Sequence, residues 1–419
     1  MISKHKFNEW TELSFVIAYI IIYSGGFFYL FLSGGSSEGD GIPISSFDFS
    51  LLQKVFLLNY IITFSLIIFC WKSFLYYALG VKLVVLLVLL AAASFLWSAQ
   101  PSVTQSRGIA IIGTTLFGLY FGYRFTLTKQ LKILAIAFGI ILSTCFLLAI
   151  ALPKYGIMAA LHAGDWRGIY IHKNVLGQTM VLSSIIFLCL SLDKSFPKWK
   201  ANAGIIASLL LIILSTSTSA MVNCLGLVII FFCLKALRFH GKLMIASVCF
   251  LIVFAAIVFL LLTLNAADIL AIFGKDLTLT GRADMWPIIV KVASKNSLLG
   301  YGYGGFWGDL SSPGGAVWRE YGWPAPNAHN GFLDIWVQLG LVGLGLFSIS
   351  YFNLLFRGIY LSGKLHPSAS SWAVLYLSFT FITNLTETSL MGQNSLNWVL
   401  FVSIGVALMT NTKERLIDQ

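Results

Sequence analysis

Apolar residues run through this chain in blocks of about twenty, the length a helix needs to cross the hydrocarbon core of a bilayer, and Gly, Pro and charge clusters separate them. Twelve blocks stand out, near residues 12–32, 52–71, 75–97, 108–123, 133–153, 174–192, 202–215, 219–236, 243–264, 331–355, 370–386 and 390–410. The pattern predicts an all-α integral membrane protein with about 12 transmembrane helices, a single polytopic domain over residues 1–419. The serine-rich turn at 215–219 barely parts the seventh and eighth blocks, which read as a tight hairpin or a partly re-entrant segment. The first block is long for a signal-peptide core and no A-x-A site follows it, so a retained signal anchor is expected.

One stretch breaks the rhythm. Residues 265–330 form a long segment between the ninth and tenth blocks, and loops of that length usually have structure or function of their own. Within it, 283–298 places Met285, Trp286, Ile289, Val292 and Ala293 on one helical face and Lys291 and Lys295 on the other. This predicts a short amphipathic helix on the outer membrane interface, with Pro287 tolerable only in its first turn. No internal repeat or low-complexity tract is evident.

Composition strengthens the membrane reading: 58% of the 419 residues are hydrophobic, 10% are charged and the mean hydropathy is +0.87. The net charge of +11 would point to nucleic acid in a soluble protein, but here the bases must first be sorted by membrane side. With the N-terminus inside, cytoplasmic segments hold 16 Lys and Arg and the short external loops hold 4, namely Arg107, Lys154, Arg167 and Lys173. Both termini are therefore expected in the cytoplasm and the 265–330 segment outside. No nucleic acid partner is implied. The six cysteines lie in or beside apolar runs without metal-type spacing, so neither a disulfide nor a metal site is expected.

The bases that break the charge rule need another explanation. Polar clusters recur on the outer side: SRG at 106–108, DWRGIYIHKN at 165–174, LTGRADMW at 279–286, APNAHNGFLD at 325–334, and NLTETSLMGQN at 384–394. Charged groups close to hydrocarbon are retained where they face a cavity or a partner. Arg167 precedes Gly168 and Arg282 follows Gly281, so each guanidinium stands beside a residue that permits close backbone approach. Such planar forks suit phosphate, and with Lys173 they could hold a diphosphate; each could equally snorkel to lipid headgroups. His329 can take a proton from a hydroxyl near neutral pH, or serve as a helix-start histidine bonded to backbone. His172 has the same ambiguity, while Asn330 and Asn174 read as helix N-caps. The glycine-rich GYGYGGFWG at 300–308, with Tyr303, lacks the P-loop pattern. An aromatic-lined loop for glycan rings or a lipid-facing turn fits it better.

Four of these motifs together resemble the O-antigen ligase and polysaccharide polymerase superfamily of bacterial inner membranes. They are R-G-x-x-x-H-K-N-x-L-G (167–177), T-G-R-x-D-x-W (280–286), L-L-G-Y-G-Y-G-x-F-W (298–307) and A-H-N-G-F-L-D-x-W-x-x-L-G-L-V-G (328–343). The forms TGRADMW, GYGYGGFW and PNAHNGFLDIW look most like its exopolysaccharide polymerases. The resemblance implies a multi-pass inner-membrane enzyme with its active site facing the periplasm. It also implies an undecaprenyl-diphosphate-linked oligosaccharide as donor, a glycan or lipid acceptor, and inverting transfer to an acceptor hydroxyl without metal or cofactor. Carried over by motif, Arg167 and Arg282 bind the leaving diphosphate and His329 orients or deprotonates the acceptor. Lys173, Asn330, His172, Tyr303 and Glu387 then serve substrate binding, with membrane lipids and a chain-length regulator as further partners. Polymerisation is the leading activity and ligation to lipid A-core the alternative. A lipid-linked glycan transporter is the rival from another class, but the chain has no repeated halves and few ionisable residues inside its helices, Lys82 being the main exception.

Overall fold

The computed structural model describes residues 9–35, 48–159, 162–236 and 282–409, and of Tyr29, Arg282 and Ala283 only the backbone. The ninth apolar block, residues 265–281 of the long segment and Cys249 lie outside the described residues. Among these residues the regular structure is helical, with one isolated antiparallel bridge between Ile157 and Trp166. The helices are α1 (Glu9–Tyr23), α2 (Phe28–Leu32), α3 (Ser50–Ile68), α4 (Trp71–Gly80), α5 (Lys82–Ala93), α6 (Pro101–Arg124), α7 (Leu127–Ala151) and α8 (Pro153–Gly156). There follow α9 (Lys173–Leu190), α10 (Lys198–Leu214), α11 (Thr218–Ala236), α12 (Arg282–Ala293), α13 (Pro313–Tyr321), α14 (Gly331–Tyr360), α15 (Pro367–Thr383) and α16 (Leu396–Met409).

The all-helical membrane architecture agrees with the apolar pattern; the count of spans is coarser. Among the described residues five helices, α3, α7, α9, α11 and α14, are long and apolar enough to cross a membrane, or six if α4 and α5 form one broken span. Those two meet at a bend of 93°. Lys82 is the first residue of α5, at the break rather than in a helix interior. The first apolar block also splits, because Gly25 (φ 78°) and Phe27 (φ 50°) leave the helical region between α1 and α2. Periodicity counts apolar residues and cannot register such breaks. The seventh and eighth blocks, α10 and α11, are joined by a tight turn at Thr216 (φ 48°), but they barely touch each other and both pack on α9 instead.

The bundle is organised around α9, which packs against α7, α10, α11 and α15, and around α6, which packs against α3, α5 and α16. Contacts between distant segments respect the two sides that the charge rule assigns. Trp97 donates to Leu299 O (3.0 Å), Arg107 to Gly304 O (3.3 Å) and Lys173 to Thr216 Oγ1 (3.1 Å), all between segments expected outside. Arg124 is bidentate on Glu12 (2.6 and 2.9 Å) and Lys132 lies 3.3 Å from Asp193, all in segments expected inside.

A second, smaller core covers the amphipathic helix. Met285, Ile289, Val292 and Ala293 of α12 are buried against Phe306, Trp307, Val317, Ala325, Ala328 and Val337. The apolar face of α12 therefore packs on protein, which corrects the expectation that it lies on the membrane interface. Lys291, on the opposite face, pairs with Glu320 of α13 at 3.3 Å. Pro287 is the sixth residue of α12, beyond its first turn.

This small core is fastened to the bundle at a kink in α14. Gly340 adopts φ 67° and ψ −170°, and a Cβ there would lie 2.0 Å from Leu298 O. The open turn lets the 297–302 backbone dock: Leu341 N donates to Ser297 O (2.8 Å), Tyr301 N to Val337 O (2.9 Å) and Gly302 N to Gln338 O (2.9 Å). Only a residue without a side chain accepts both that conformation and that approach. The GYGYGG stretch is thus a docked connector between helices.

Candidate functional site

Two outer loops meet where α14 begins. Asn330 caps α14, its Oδ1 accepting from Phe332 N (3.0 Å) and Leu333 N (3.1 Å), as its position before an apolar run predicts. Its Nδ2 donates to Leu385 O (3.4 Å), and Gly331 N donates to Asn384 O (2.9 Å). Asn384, fully buried, folds the facing loop: its Oδ1 accepts from Ser389 N (2.7 Å) and Leu390 N (3.2 Å), and its Nδ2 donates to Thr380 O (2.7 Å). The result brings His329 and Glu387 together, with Nδ1 3.8 Å from Oε2. That is beyond hydrogen-bond length, but catalytic bonds are often long before substrate binds.

The strap carrying His329 is fixed from several directions. Trp318 Nε1 donates to Ala325 O (2.8 Å) and Trp286 Nε1 to Ala328 O (3.0 Å). The buried carboxylate of Asp334 accepts from Ala328 N (3.1 Å) and Trp307 Nε1 (2.8 Å). His329 N donates to Asn327 Oδ1 (2.9 Å), the Trp323 ring stacks near the imidazole at 5.9 Å, and His329 itself sits at φ 47°. A non-glycine residue held in the left-handed region costs of order 1–3 kcal/mol and persists where its surroundings over-determine it. The imidazole Nδ1 is buried and makes no hydrogen bond among the described residues.

Two cavities meet at the loop that follows Glu387 and share Thr388 and Ser389 as a common wall. The larger, about 330 Å³, lies between α9, α15 and the α1–α2 break and includes Glu387 in its lining. The smaller, about 160 Å³, is lined by Arg107, Tyr303, Asn327, Asp334 and Gln338 among others. Tyr303 is fixed there: its hydroxyl donates to Met391 O and to Gln393 Oε1 (2.9 Å), and its backbone N–H donates to Ser94 Oγ (2.9 Å). Burial pushes the Tyr303 phenol up from its ordinary pKa, so it stays a neutral donor.

The expected cations are placed differently. Arg167 is 1% exposed and places three of its five N–H donors on backbone: Nε on Tyr155 O (2.8 Å), Nη2 on Gly35 O (2.6 Å) and on Lys154 O (2.9 Å). Gly168 beside it (φ 58°) lets the chain press onto Cys145, whose Sγ would be 2.6 Å from a Cβ at that position. The guanidinium expected to face phosphate is thus buried, with its Nε and Nη2 donors held by carbonyls. Lys173 Nζ donates to Asp165 Oδ2 (2.6 Å), so both side chains of this pair serve the loop. His172 is the N-cap of α9, its Nδ1 accepting from Asn174 N (3.1 Å). Arg282 is the first residue of α12, four residues before Trp286 and so on the same helical face.

Sequence reasoning missed Asp334 as the clamp of the His329 strap, Asn384 as the organiser of the Glu387 loop, and the three indole donors. The tryptophans were visible as aromatics outside the long apolar blocks, but nothing in their spacing said which carbonyl each would hold.

Comparison with known proteins agrees with the motifs. Residues 203–348, about a third of the chain, match the family described as O-antigen ligase. The chain is also 25% identical over 276 residues to the exopolysaccharide production protein ExoQ of Rhizobium meliloti (strain 1021), an alignment covering 62% of this chain and 61% of that protein. The chain thus spans less than two thirds of the length of this relative. Both findings bear out the resemblance to the O-antigen ligase and polysaccharide polymerase superfamily.

Proposed function

We propose that the chain is a membrane glycosyltransferase that moves a glycan from an undecaprenyl-diphosphate-linked donor onto an acceptor hydroxyl, and that it polymerises repeat units of a surface polysaccharide. The observation that carries this reading is the His329 and Glu387 pair: a strained, clamped histidine beside a carboxylate that lines the larger cavity. In the reaction His329 takes the proton of the acceptor hydroxyl while that oxygen forms a bond to the anomeric carbon. The bond from that carbon to the diphosphate oxygen breaks, and the lipid diphosphate leaves with the electron pair. Attack opposite the leaving group inverts the anomeric centre.

Glu387 holds the imidazole in orientation and stabilises it once protonated. Asn330 fixes the helix start beside His329, Tyr303 lines the smaller cavity, and His172 starts the helix that borders the larger one. Arg282 is assigned to the diphosphate on the resemblance of its T-G-R-x-D-x-W motif to the superfamily. Arg167 and Lys173 keep the 153–173 loop in place and add fixed positive charge, which favours a departing anion when it need not reorganise. The chemistry is placed on the periplasmic side, where the lipid-linked donor presents its diphosphate.

Exopolysaccharide production, named for the relative, is compatible with polymerisation, and the family description as O-antigen ligase keeps ligation, which we would place on lipid A-core, as the second reading. Incubation of purified protein with lipid-linked repeat units separates them. A ladder of longer lipid-linked glycans supports the polymerase. Transfer only to added lipid A-core makes the protein a ligase, and absence of any covalent product with either acceptor overturns the enzyme reading in favour of transport.

A further inference from the structure

The larger cavity differs in chemistry from a phosphate site. It is lined by the amides of Asn174, Gln178, Asn394 and Asn397, with Tyr23 and Phe379 as aromatic walls. No cationic side chain is present among the described residues that line it, and its single charge is the carboxylate of Glu387. A diphosphate entering would meet that carboxylate with no compensating base. Amides, which donate and accept at once, match sugar hydroxyls, which do the same. A volume near 330 Å³ falls at the low end of small-molecule sites, roughly 300–1,000 Å³.

The amides are also held in orientation. Gln178 Oε1 accepts from Asn223 Nδ2 (3.1 Å) and Thr383 Oγ1 (3.4 Å), and its Nε2 donates to Ser219 Oγ (3.3 Å). Asn394 Oδ1 accepts from the Tyr60 hydroxyl and from Thr114 Oγ1 (3.5 Å), which leaves its NH₂ as the group to donate. Such support fixes donors and acceptors before a ligand arrives.

From this lining we infer that the cavity is the acceptor subsite, binding the neutral, hydroxyl-rich terminal sugar of the acceptor glycan and presenting one hydroxyl toward Glu387 and His329. The inference rests on the glycosyltransferase reading for the identity of the ligand as acceptor, and on the lining for its chemistry.

The test uses the full-length detergent-solubilised protein, a free oligosaccharide of one repeat unit as probe, and undecaprenyl diphosphate as a second probe. Saturation-transfer NMR and titration measure oligosaccharide binding to wild type, Asn174→Ala, Gln178→Leu and His329→Ala. Asn174→Ala guards against misfolding, since the Asn174 side chain supports no neighbouring element through a bond recorded in the structure. Each cavity variant is expected to weaken oligosaccharide binding roughly three- to tenfold, the loss of one or two neutral hydrogen bonds, and to leave undecaprenyl diphosphate binding unchanged. His329→Ala keeps oligosaccharide binding. Unchanged oligosaccharide affinity in both cavity variants overturns the subsite, as does a loss confined to undecaprenyl diphosphate. Because binding is read without turnover, an inactive wild type would count against the transferase reading and leave the subsite result intact.

Discussion

Replacing Arg167 with alanine separates a scaffold from a ligand. The guanidinium is 1% exposed and satisfies the carbonyls of Tyr155, Lys154 and Gly35, so it ties the α8 turn to the end of the α2 segment. Each buried acceptor left without its donor costs about 1–3 kcal/mol. Three would cost on the order of 3–9 kcal/mol if independent, and water entering the vacated space brings the sum toward the lower end. Thermal unfolding of the detergent-solubilised protein, followed by intrinsic tryptophan fluorescence, is the assay. Extending the size dependence of melting to a chain of this length gives roughly 1 °C per kcal/mol, so Arg167→Ala should melt at least about 3 °C lower. Arg167→Lys, which keeps the charge but loses the fork, should fall between. An Arg167→Ala protein that melts with wild type yet transfers no glycan would refute this reasoning, because it would place the guanidinium on substrate rather than on the loop.

Other outcomes follow from the same contacts. Gly340→Ala forces a Cβ to within 2.0 Å of Leu298 O in a left-handed conformation, and should cost roughly 2–6 kcal/mol, seen as loss of the folded species in size-exclusion chromatography. Glu387→Gln keeps the shape of the loop but removes the charge beside His329, and should lower kcat roughly tenfold or more with little change in melting temperature, measured by single-turnover transfer. Arg282→Ala should abolish transfer while the protein still inserts in membranes, checked by fractionation and by the chain length of surface polysaccharide from mutant cells.

The sequence disclosed the material of the fold better than its breaks. Apolar blocks located the described helices except α8, α12 and α13, because burial in lipid or core requires unbroken hydrophobicity whatever the helix is doing. The bend before Lys82, the gap at Gly25 to Phe27 and the kink at Gly340 escaped notice, since each depends on a partner backbone or a left-handed residue that periodicity does not encode. The face of α12 was legible, but what covers it was not: protein and lipid both accept Met285 and Ile289. At the site, His329, Asn330 and Glu387 were legible only as candidates from separate outer segments, and the structure brings the three to one loop junction. The fate of Arg167 and Lys173 was not legible, because a guanidinium suited to phosphate is equally suited to three carbonyls, and only tertiary placement decides between them.

The most direct test of the account is the rate at which purified His329→Ala extends lipid-linked repeat units, compared with wild type at matched melting temperature and matched undecaprenyl diphosphate affinity. The account predicts a loss of roughly 10²- to 10⁴-fold in the transfer step, the usual contribution of a positioned general base. Ladders formed by His329→Ala at the wild-type rate would contradict it.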